Sequence, residues 1–190
     1  ELELALDHPT RTDWATSARD ALADTRRLER LTDDLLFLAR IDAGEPAATT
    51  DVDLAATLAE LARRRPTVRV HLPADPVRVH GSGPHLHRLL TNLLDNAQRH
   101  SRNHVDAHLR VSGAMAVIHI DDDGNGIAPE NRHRIFDRFA RLDEARARDR
   151  GGTGLGLAIA RDIAHRHTGT LQIGDAPIGG ARFTLRLPRR

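Results

Sequence analysis

Hydrophobic positions along the chain follow two different periods, and the helical period comes first. From Thr12 or Asp13 to about Ala43, apolar residues recur every three or four positions, which predicts one long helix ended by Gly44 and Pro46. Its apolar stripe contains Trp14, Ala18, Ala21, Leu28, Leu31, Leu35 and Leu38. Because so narrow a stripe does not stabilise a lone helix, we expect a partner in a helical hairpin or a dimeric bundle.

The rest of the chain mixes helical and alternating segments. Residues 1–6 resemble the end of an earlier helix, and residues 7–10 form a predicted turn. Helices are predicted at 54–65, 83–99 and 154–167, with short helical pieces at 130–136. Strands are predicted at 52–54, 68–72, 77–79, 104–111, 115–121, 170–173 and 182–187, with turns at Ser112-Gly113 and Gly179-Gly180. This order predicts an α+β fold, a two-layer α/β sandwich. We expect a partial helical domain at 1–45, a linker at 46–50 and a second domain at 51–190.

Charge and composition exclude several classes of protein. Among 190 residues, 28 are basic and 27 acidic, and the two signs are interleaved rather than separated onto one face. Aromatic residues make up only 3%, which leaves no stacking platform, so we expect no nucleic-acid partner. The chain has no apolar run of about 18 residues and no signal-peptide pattern. Together with the absence of Cys, these features predict a cytoplasmic location without direct membrane contact.

A glycine-rich run at residues 151–159 predicts a phosphate-binding segment. Four glycines within six residues let the backbone approach a ligand, and the following helix would point free N–H groups at it. A Walker A loop is excluded because the chain contains no Lys. A dinucleotide fingerprint is excluded because Ile159 occupies the place of its last small residue.

Two further polar clusters carry candidate chemistry. Asn92, Asn96, Arg99 and His100 share one edge of the predicted helix 83–99 or follow it directly. The Asn96 amide oxygen suits Mg²⁺, which keeps waters and substrate phosphates as its other ligands, and Arg99 suits phosphate.

The second cluster is the aspartate run 121–123, which follows a predicted strand. It opens like a calcium-binding loop, but Arg132 stands where that loop needs a bidentate Glu, so calcium is rejected. We expect a buried Asp122 to accept the amino group of adenine beside a glycine turn.

Five motifs in order resemble one known family. The segments NLLDNAQRH, DDGNGI, IFDRF, GGTGLGLAI and GGARFTLRLP resemble the N, G1, F and G2 boxes and closing strand of a sensor histidine kinase catalytic domain. That domain has the Bergerat (GHKL) ATP-binding fold, which implies a mixed sheet with helices on one face. The preceding LERLTDDLLFLARIDAGE resembles the second helix of the family's dimerisation and histidine-phosphotransfer hairpin.

The resemblance assigns roles by position. Asn96 resembles the Mg²⁺ ligand, Asp122 resembles the adenine-binding Asp, and Arg99 stands where the family usually has a phosphate-binding Lys. The implied catalytic set is Asn92, Asn96, Arg99 and Arg138. The other implied nucleotide-binding residues are His100, Gly124, Gly126, Ile127, Phe139, Gly152, Thr153, Gly154, Leu155, Gly156 and Leu157. Residues 141–151 resemble the mobile lid over ATP.

The family's reaction is implied in the same way. It moves the γ-phosphoryl group of Mg²⁺-bound ATP to a His of the dimerisation domain and then to an Asp of a response-regulator receiver domain. The resemblance also implies a homodimer and the cytoplasmic part of a membrane-anchored bacterial sensor. The acceptor motif H-E-x-x-x-P is missing, and His8 lies in a turn, so we expect a truncated hairpin that does not autophosphorylate.

Three alternatives stay open. An ATP-hydrolysing clamp places a Glu four residues before the Mg²⁺-binding Asn, whereas this chain has Asn92, which is a poor base. An anti-sigma-factor Ser kinase leaves the leucine-striped helix 13–43 unexplained. The third alternative is a dimerisation module that senses a nucleotide without phosphorylating anything.

Overall fold

The computed structural model describes residues 13–140 and 152–190. The predicted helix end at 1–6, the turn at 7–10 and the lid at 141–151 lie outside the described residues.

The long N-terminal helix is present, and its start is fixed by a side-chain cap. Helix α1 spans Trp14–Asp42. An oxygen of Asp13, Oδ1, accepts hydrogen bonds from the backbone N–H groups of Ala15 and Thr16 at 3.1 and 3.3 Å. This cap replaces partners that the first turn of a helix lacks. The helix ends before Gly44, whose φ of 71° reverses the chain.

The predicted apolar stripe of α1 divides between two environments, and the expected partner helix stays a prediction. Near its C-terminal end, Leu38 and Ile41 are only 3% and 8% exposed and join the main hydrophobic core. Leu28 and Leu35 lie on another side of the helix and are 63% and 44% exposed. The three- and four-residue spacing predicts which residues share a face, but not which neighbour covers that face. No helix in the described ranges is long and apolar enough to cross a membrane.

The strands form a five-stranded mixed sheet and a separate two-stranded ribbon, in agreement with the predicted α+β fold. The strands are β1 Thr50–Asp53, β2 Val68–His71, β3 Arg78–Gly81, β4 Val105–Ser112, β5 Met115–Asp122, β6 Thr170–Asp175 and β7 Ala181–Pro188. The main sheet has the order β2-β4-β5-β7-β6 and only its β2–β4 pair is parallel. Strands β1 and β3 pair separately as an antiparallel ribbon.

The helices that cover one face of the main sheet are α2 Leu54–Arg63, α3 Gly83–His100 and α4 Gly156–Arg166. Side chains at alternate positions of the strands point into this layer, among them Ile118, Ile120, Phe183 and Leu185, which are almost completely buried. Helix α3 contributes Leu86, Leu89, Leu90, Leu93, Leu94 and Ala97. The opposite face carries polar pairs such as Arg182 on Asp121, both hydrogen bonds being 2.6 Å long. The core thus lies between the sheet and one helix layer.

One predicted helix start is wrong for a local backbone reason. Helix α4 begins at Gly156 rather than Gly154, because Gly154 has a φ of 74°, which is outside the right-handed helical region. The short helical pieces predicted at 130–136 are present as two 3₁₀ turns, Pro129–Asn131 and Arg134–Phe136.

Candidate functional site

An open cavity of about 1480 Å³ lies between helix α1 and the α/β body. Its walls come from α1, α3, the loop after β5, the segment before residue 140 and the glycine-rich run with the first turn of α4. The cavity therefore brings together clusters that are far apart in the sequence.

Asp122 lies at the end of β5, where it is only 1% exposed. Its Oδ1 atom accepts hydrogen bonds from the backbone N–H groups of Gly124 at 2.9 Å and Ala181 at 3.2 Å. Burial raises the pKa of the Asp122 carboxyl, although these two hydrogen bonds oppose the shift. The two donors fix the orientation of a buried carboxyl group at the cavity wall.

Helix α3 presents its polar edge to the same cavity. Asn92, Asn96, Arg99 and His100 all line it, as their helical spacing predicts. The Asn92 side chain also links two elements, because its Nδ2 donates to the backbone oxygen of Gly156 at 3.0 Å. This bond ties the middle of α3 to the first residue of α4.

At one position the glycine-rich run adopts a backbone geometry that strongly favours glycine. Gly154 has a φ of 74°, and a Cβ there would lie 3.0 Å from the Cα of Phe139. The backbone N–H of Phe139 donates to the Gly154 oxygen at 2.9 Å. Among described residues, no side chain caps α4 in the ordinary way, although Thr153 Oγ1 accepts from the Leu155 N–H at 3.3 Å. The positive end of α4 therefore faces the cavity with Gly156 and Leu157.

Helix α1 supplies a wall that the sequence motifs alone do not reveal. Asp34 forms an ion pair with Arg88 of α3 at 2.6 Å and accepts a hydrogen bond from Thr153 Oγ1 at 3.0 Å. The Arg88 guanidinium also lies 4.1 Å from the centre of the Phe37 ring. The acidic pair 33–34 inside a leucine stripe was the available signal, but it fits a solvated edge equally well.

Arg138 points toward the same helix. Its guanidinium donates two hydrogen bonds to the Asp42 carboxylate, at 2.8 and 2.9 Å, and lies 3.6 Å from Asp162. Hydrogen bonding to Asp42 raises the pKa of Arg138, and the same bond lowers the pKa of Asp42. Arg138 lines the cavity, but these carboxylates engage it.

Most predicted site residues line the cavity, and two do not. Those lining it are Asn92, Asn96, Arg99, His100, Asp122, Gly126, Ile127, Arg138, Phe139, Gly152, Thr153, Gly154, Gly156 and Leu157. Gly124 instead packs on the end of α3, where a Cβ would lie 2.2 Å from the His100 oxygen. The Leu155 side chain is fully buried in the core.

The cavity wall offers an oxygen donor of the kind that Mg²⁺ accepts. Within 13–140 and 152–190, no group of three or more His, Cys, Asp or Glu side chains is arranged to hold a metal. Asn96 offers one amide oxygen at the cavity wall. A single protein oxygen fits an ion that takes its other ligands from water and substrate phosphates.

Comparison with known proteins decides the family. Residues 81–190, more than half of the chain, match the histidine kinase-, DNA gyrase B- and HSP90-like ATPase family. The chain belongs to this family. Its predicted identity as the ATP-binding catalytic domain of a sensor histidine kinase and its predicted α+β fold are confirmed, and the match to an ATPase family supports the use of ATP.

The relatives of this ATPase-family chain are named as sensor kinases. It is 37% identical to the probable sensor histidine kinase TcrY of Mycobacterium tuberculosis, over 87% of this chain and 36% of TcrY. It is 39% identical to the sensor protein RstB of Escherichia coli, over 87% of this chain and 40% of RstB. The chain thus spans well under half the length of these curated relatives. Neither name supports the Ser kinase or the non-phosphorylating alternative.

Solved structures agree on the fold. The mycobacterial sensor histidine kinase MprB has a TM-score of 0.62 and 31% identity, over 75% of this chain and 99% of the MprB chain. The Acinetobacter baumannii histidine kinase AdeS has a TM-score of 0.78 over 98% of this chain and 90% of the AdeS chain. At 22% identity, AdeS supports the fold alone, but its coverage includes the region of α1.

Proposed function

We propose that this chain binds Mg²⁺-ATP in the cavity and transfers the γ-phosphoryl group to a His of a dimerisation domain. A response-regulator receiver Asp then takes the group from that His, and the reaction belongs to the cytoplasmic part of a bacterial sensor. The observation that carries the proposal is the cavity itself. One end holds the fixed, buried Asp122, and the polar edge of α3 and the N-terminus of α4 line the rest.

The Asp122 end suits adenine. Both backbone hydrogen bonds end on Oδ1, so Oδ2 is left to accept the exocyclic amino group of adenine. Guanine presents a carbonyl oxygen at the corresponding position, and two acceptors repel. The carboxylate therefore selects ATP over GTP.

The other walls suit a triphosphate. The uncapped N-terminus of α4 and the glycine-rich run offer backbone N–H groups and a positive dipole end. Arg99 adds a charged donor on α3. Asn96 would hold Mg²⁺, which when bound neutralises phosphate charge.

Transfer to an imidazole fits the site better than hydrolysis. The imidazole nitrogen bonds to the γ-phosphorus while the bond to the β,γ-bridging oxygen breaks, and ADP leaves with the electron pair. An ATP-hydrolysing clamp of this fold would instead need a basic side chain at position 92 to activate water. Here Asn92 donates its amide to the Gly156 oxygen, which leaves it in a positioning role. Catalysis then depends on alignment and charge neutralisation.

Homodimerisation belongs to the same proposal. The solvent-facing side of α1 exposes an apolar set consisting of Trp14, Leu22, Leu28, Leu35 and Leu36. Helices with such a face bury it against other helices, which is the arrangement of a bundle.

Labelling with γ-phosphate-labelled ATP and Mg²⁺ tests the proposal. The chain is incubated alone and with a separately supplied dimerisation domain that contains the acceptor His, beside an Asp122→Ala control. We expect no label on the chain alone, and label on the added domain that disappears with Asp122→Ala. Binding of ATP without transfer to any acceptor would favour the sensing module. Failure to bind ATP would refute the proposal.

A further inference from the structure

Two parts of the chain that are separate in sequence line the cavity, and a nucleotide site requires that their relative position be fixed. Asn96, Arg99 and His100 belong to the end of α3, whereas Asp122 ends β5 and Gly126 belongs to the loop that follows it. The residue that follows Asp122 does not line the cavity, yet its side chain makes several hydrogen bonds between these two parts.

Asp123 binds the loop that leaves α3. Its Oδ1 accepts the backbone N–H groups of Arg102 at 2.7 Å and Asn103 at 3.1 Å. Its Oδ2 accepts the Asn103 backbone N–H at 3.1 Å and the Asn103 side-chain Nδ2 at 3.0 Å. The Nδ1 atom of His104 lies 3.6 Å from the same Oδ2, and the Asp123 side chain is only 10% exposed. Both carboxylate oxygens are therefore used by one short loop.

Two further contacts join the same segments. The Arg102 guanidinium donates to Asn125 Oδ1 at 2.5 Å. Gly124 packs so closely on the end of α3 that an added Cβ would lie 2.2 Å from the backbone oxygen of His100. The loops 101–104 and 123–125 thus form one connected unit next to the adenine end of the cavity.

The pKa of Asp123 agrees with this geometry. Partial burial opposes ionisation, but the N–H donors of the loop outweigh it and lower the pKa to about 2. At neutral pH the carboxylate is therefore fully ionised and accepts all of these hydrogen bonds in their charge-assisted form.

We propose that Asp123 is a positioning residue for nucleotide selectivity, which holds Asp122 at a fixed place relative to the polar edge of α3. It acts through the loop 101–104 and does not touch the nucleotide. This inference rests on the proposed function, since it assumes that Asp122 recognises adenine.

Three variants of the full chain test it: Asp123→Ala, Asp123→Asn and, as a matched control, Asp75→Ala in the exposed turn before β3. Asn at 123 keeps an oxygen for the backbone donors, and its amide can donate to the Asn103 side-chain oxygen after that amide rotates. Ala keeps nothing. The measured quantities are the dissociation constants for Mg²⁺-ATP and Mg²⁺-GTP by calorimetry, and the melting temperature.

We expect the GTP-to-ATP ratio of dissociation constants to fall about tenfold in Asp123→Ala, about threefold in Asp123→Asn and not at all in Asp75→Ala. A purely structural role would lower the melting temperature and leave the ratio unchanged. An unchanged ratio in folded Asp123→Ala would overturn the inference. If that variant does not fold, an unchanged ratio in Asp123→Asn has the same meaning. Wild-type chain that binds no ATP would instead refute the proposed function.

Discussion

Asp122→Asn is the substitution that most sharply separates binding from stability. In the wild-type chain, Oδ1 is held by the N–H groups of Gly124 and Ala181. The Asn side chain has one oxygen and one NH₂ group, so it must choose between two orientations. If the oxygen keeps both backbone donors, the NH₂ group faces the adenine amino group, and two donors oppose each other.

Both orientations weaken ATP binding by a calculable amount. In the first, ATP loses a hydrogen bond to a charged acceptor, which contributes about 1.5–3 kcal/mol. In the second, the amide is flipped and two backbone bonds of about 1 kcal/mol each are lost instead. The cheaper route therefore still costs about 1.5–2 kcal/mol, so we expect the affinity for ATP to fall at least about tenfold. Affinity for GTP should rise relative to ATP, because the first orientation presents a donor to the guanine oxygen.

The same change should stabilise the fold near neutral pH. Burial raises the pKa of Asp122 above its unfolded value, so the ionised carboxyl disfavours folding. Its stabilising contribution is complete below the unfolded pKa near 3.8 and is lost as the pH rises through the higher folded pKa. Asn carries no charge, so it avoids the destabilisation that ionised Asp122 causes. We therefore expect a higher melting temperature than wild type at pH 7 and no such gain at pH 3.

Calorimetry with both nucleotides and thermal melts at the two pH values provide the assay. Asp121→Asn is the matched control, because it neutralises the neighbouring carboxyl on the opposite sheet face and breaks the ion pair with Arg182. It should lower stability and keep ATP affinity. Unchanged ATP affinity in folded Asp122→Asn would refute the assignment of this end of the cavity to adenine.

Three further predictions concern other parts of the molecule. Asn92→Ala removes the bond to the Gly156 oxygen, and we expect titration calorimetry to show ATP affinity lowered about three- to tenfold; equal affinity would contradict the positioning role. Leu58→Ala opens a cavity at a fully buried site on α2, so urea unfolding should show a loss of about 2–5 kcal/mol, and a loss below about 1 kcal/mol would contradict that burial. Stability contributed by ionised Asp123 is present above pH 3.8 and lost as the pH falls through about 2, so its advantage over Asp123→Asn in urea should shrink between pH 7 and pH 2; a constant difference would argue against it.

Local patterns predict those parts of the site that local chemistry determines. The helical spacing of Asn92, Asn96 and Arg99 is enough to place them on one edge of α3, and all three line the cavity. The strand-end position of Asp122 predicts its burial, because alternation in β5 turns that side chain toward the core layer. Periodicity alone is sufficient for these features.

Tertiary contacts determine the rest. Nothing in the spacing of the leucines of α1 distinguishes Leu38, which is buried against the body, from Leu35, which is exposed. Arg138 is expected beside phosphates as part of a motif, but the carboxylate that engages it lies 96 positions earlier in the chain. The start of α4 is shifted by two residues because Gly154 has a φ of 74° where it packs against the backbone of Phe139, a contact that the sequence does not reveal.

The contacts between α1 and the glycine-rich run also have a thermodynamic consequence. The Thr153 hydroxyl donates to Asp34 of α1 and accepts from the N–H of Leu155, which precedes α4. One side chain therefore links α1 to the start of α4. If a ligand changes the hydrogen bonds of the Thr153 hydroxyl, its binding free energy includes the free energy of docking α1 onto the glycine-rich run. Reciprocity then requires that displacing α1 change the ligand's dissociation constant by the same factor by which the ligand changes the docking equilibrium of α1. A force that displaces α1 and a ligand that binds in the cavity therefore act on the same coupling free energy.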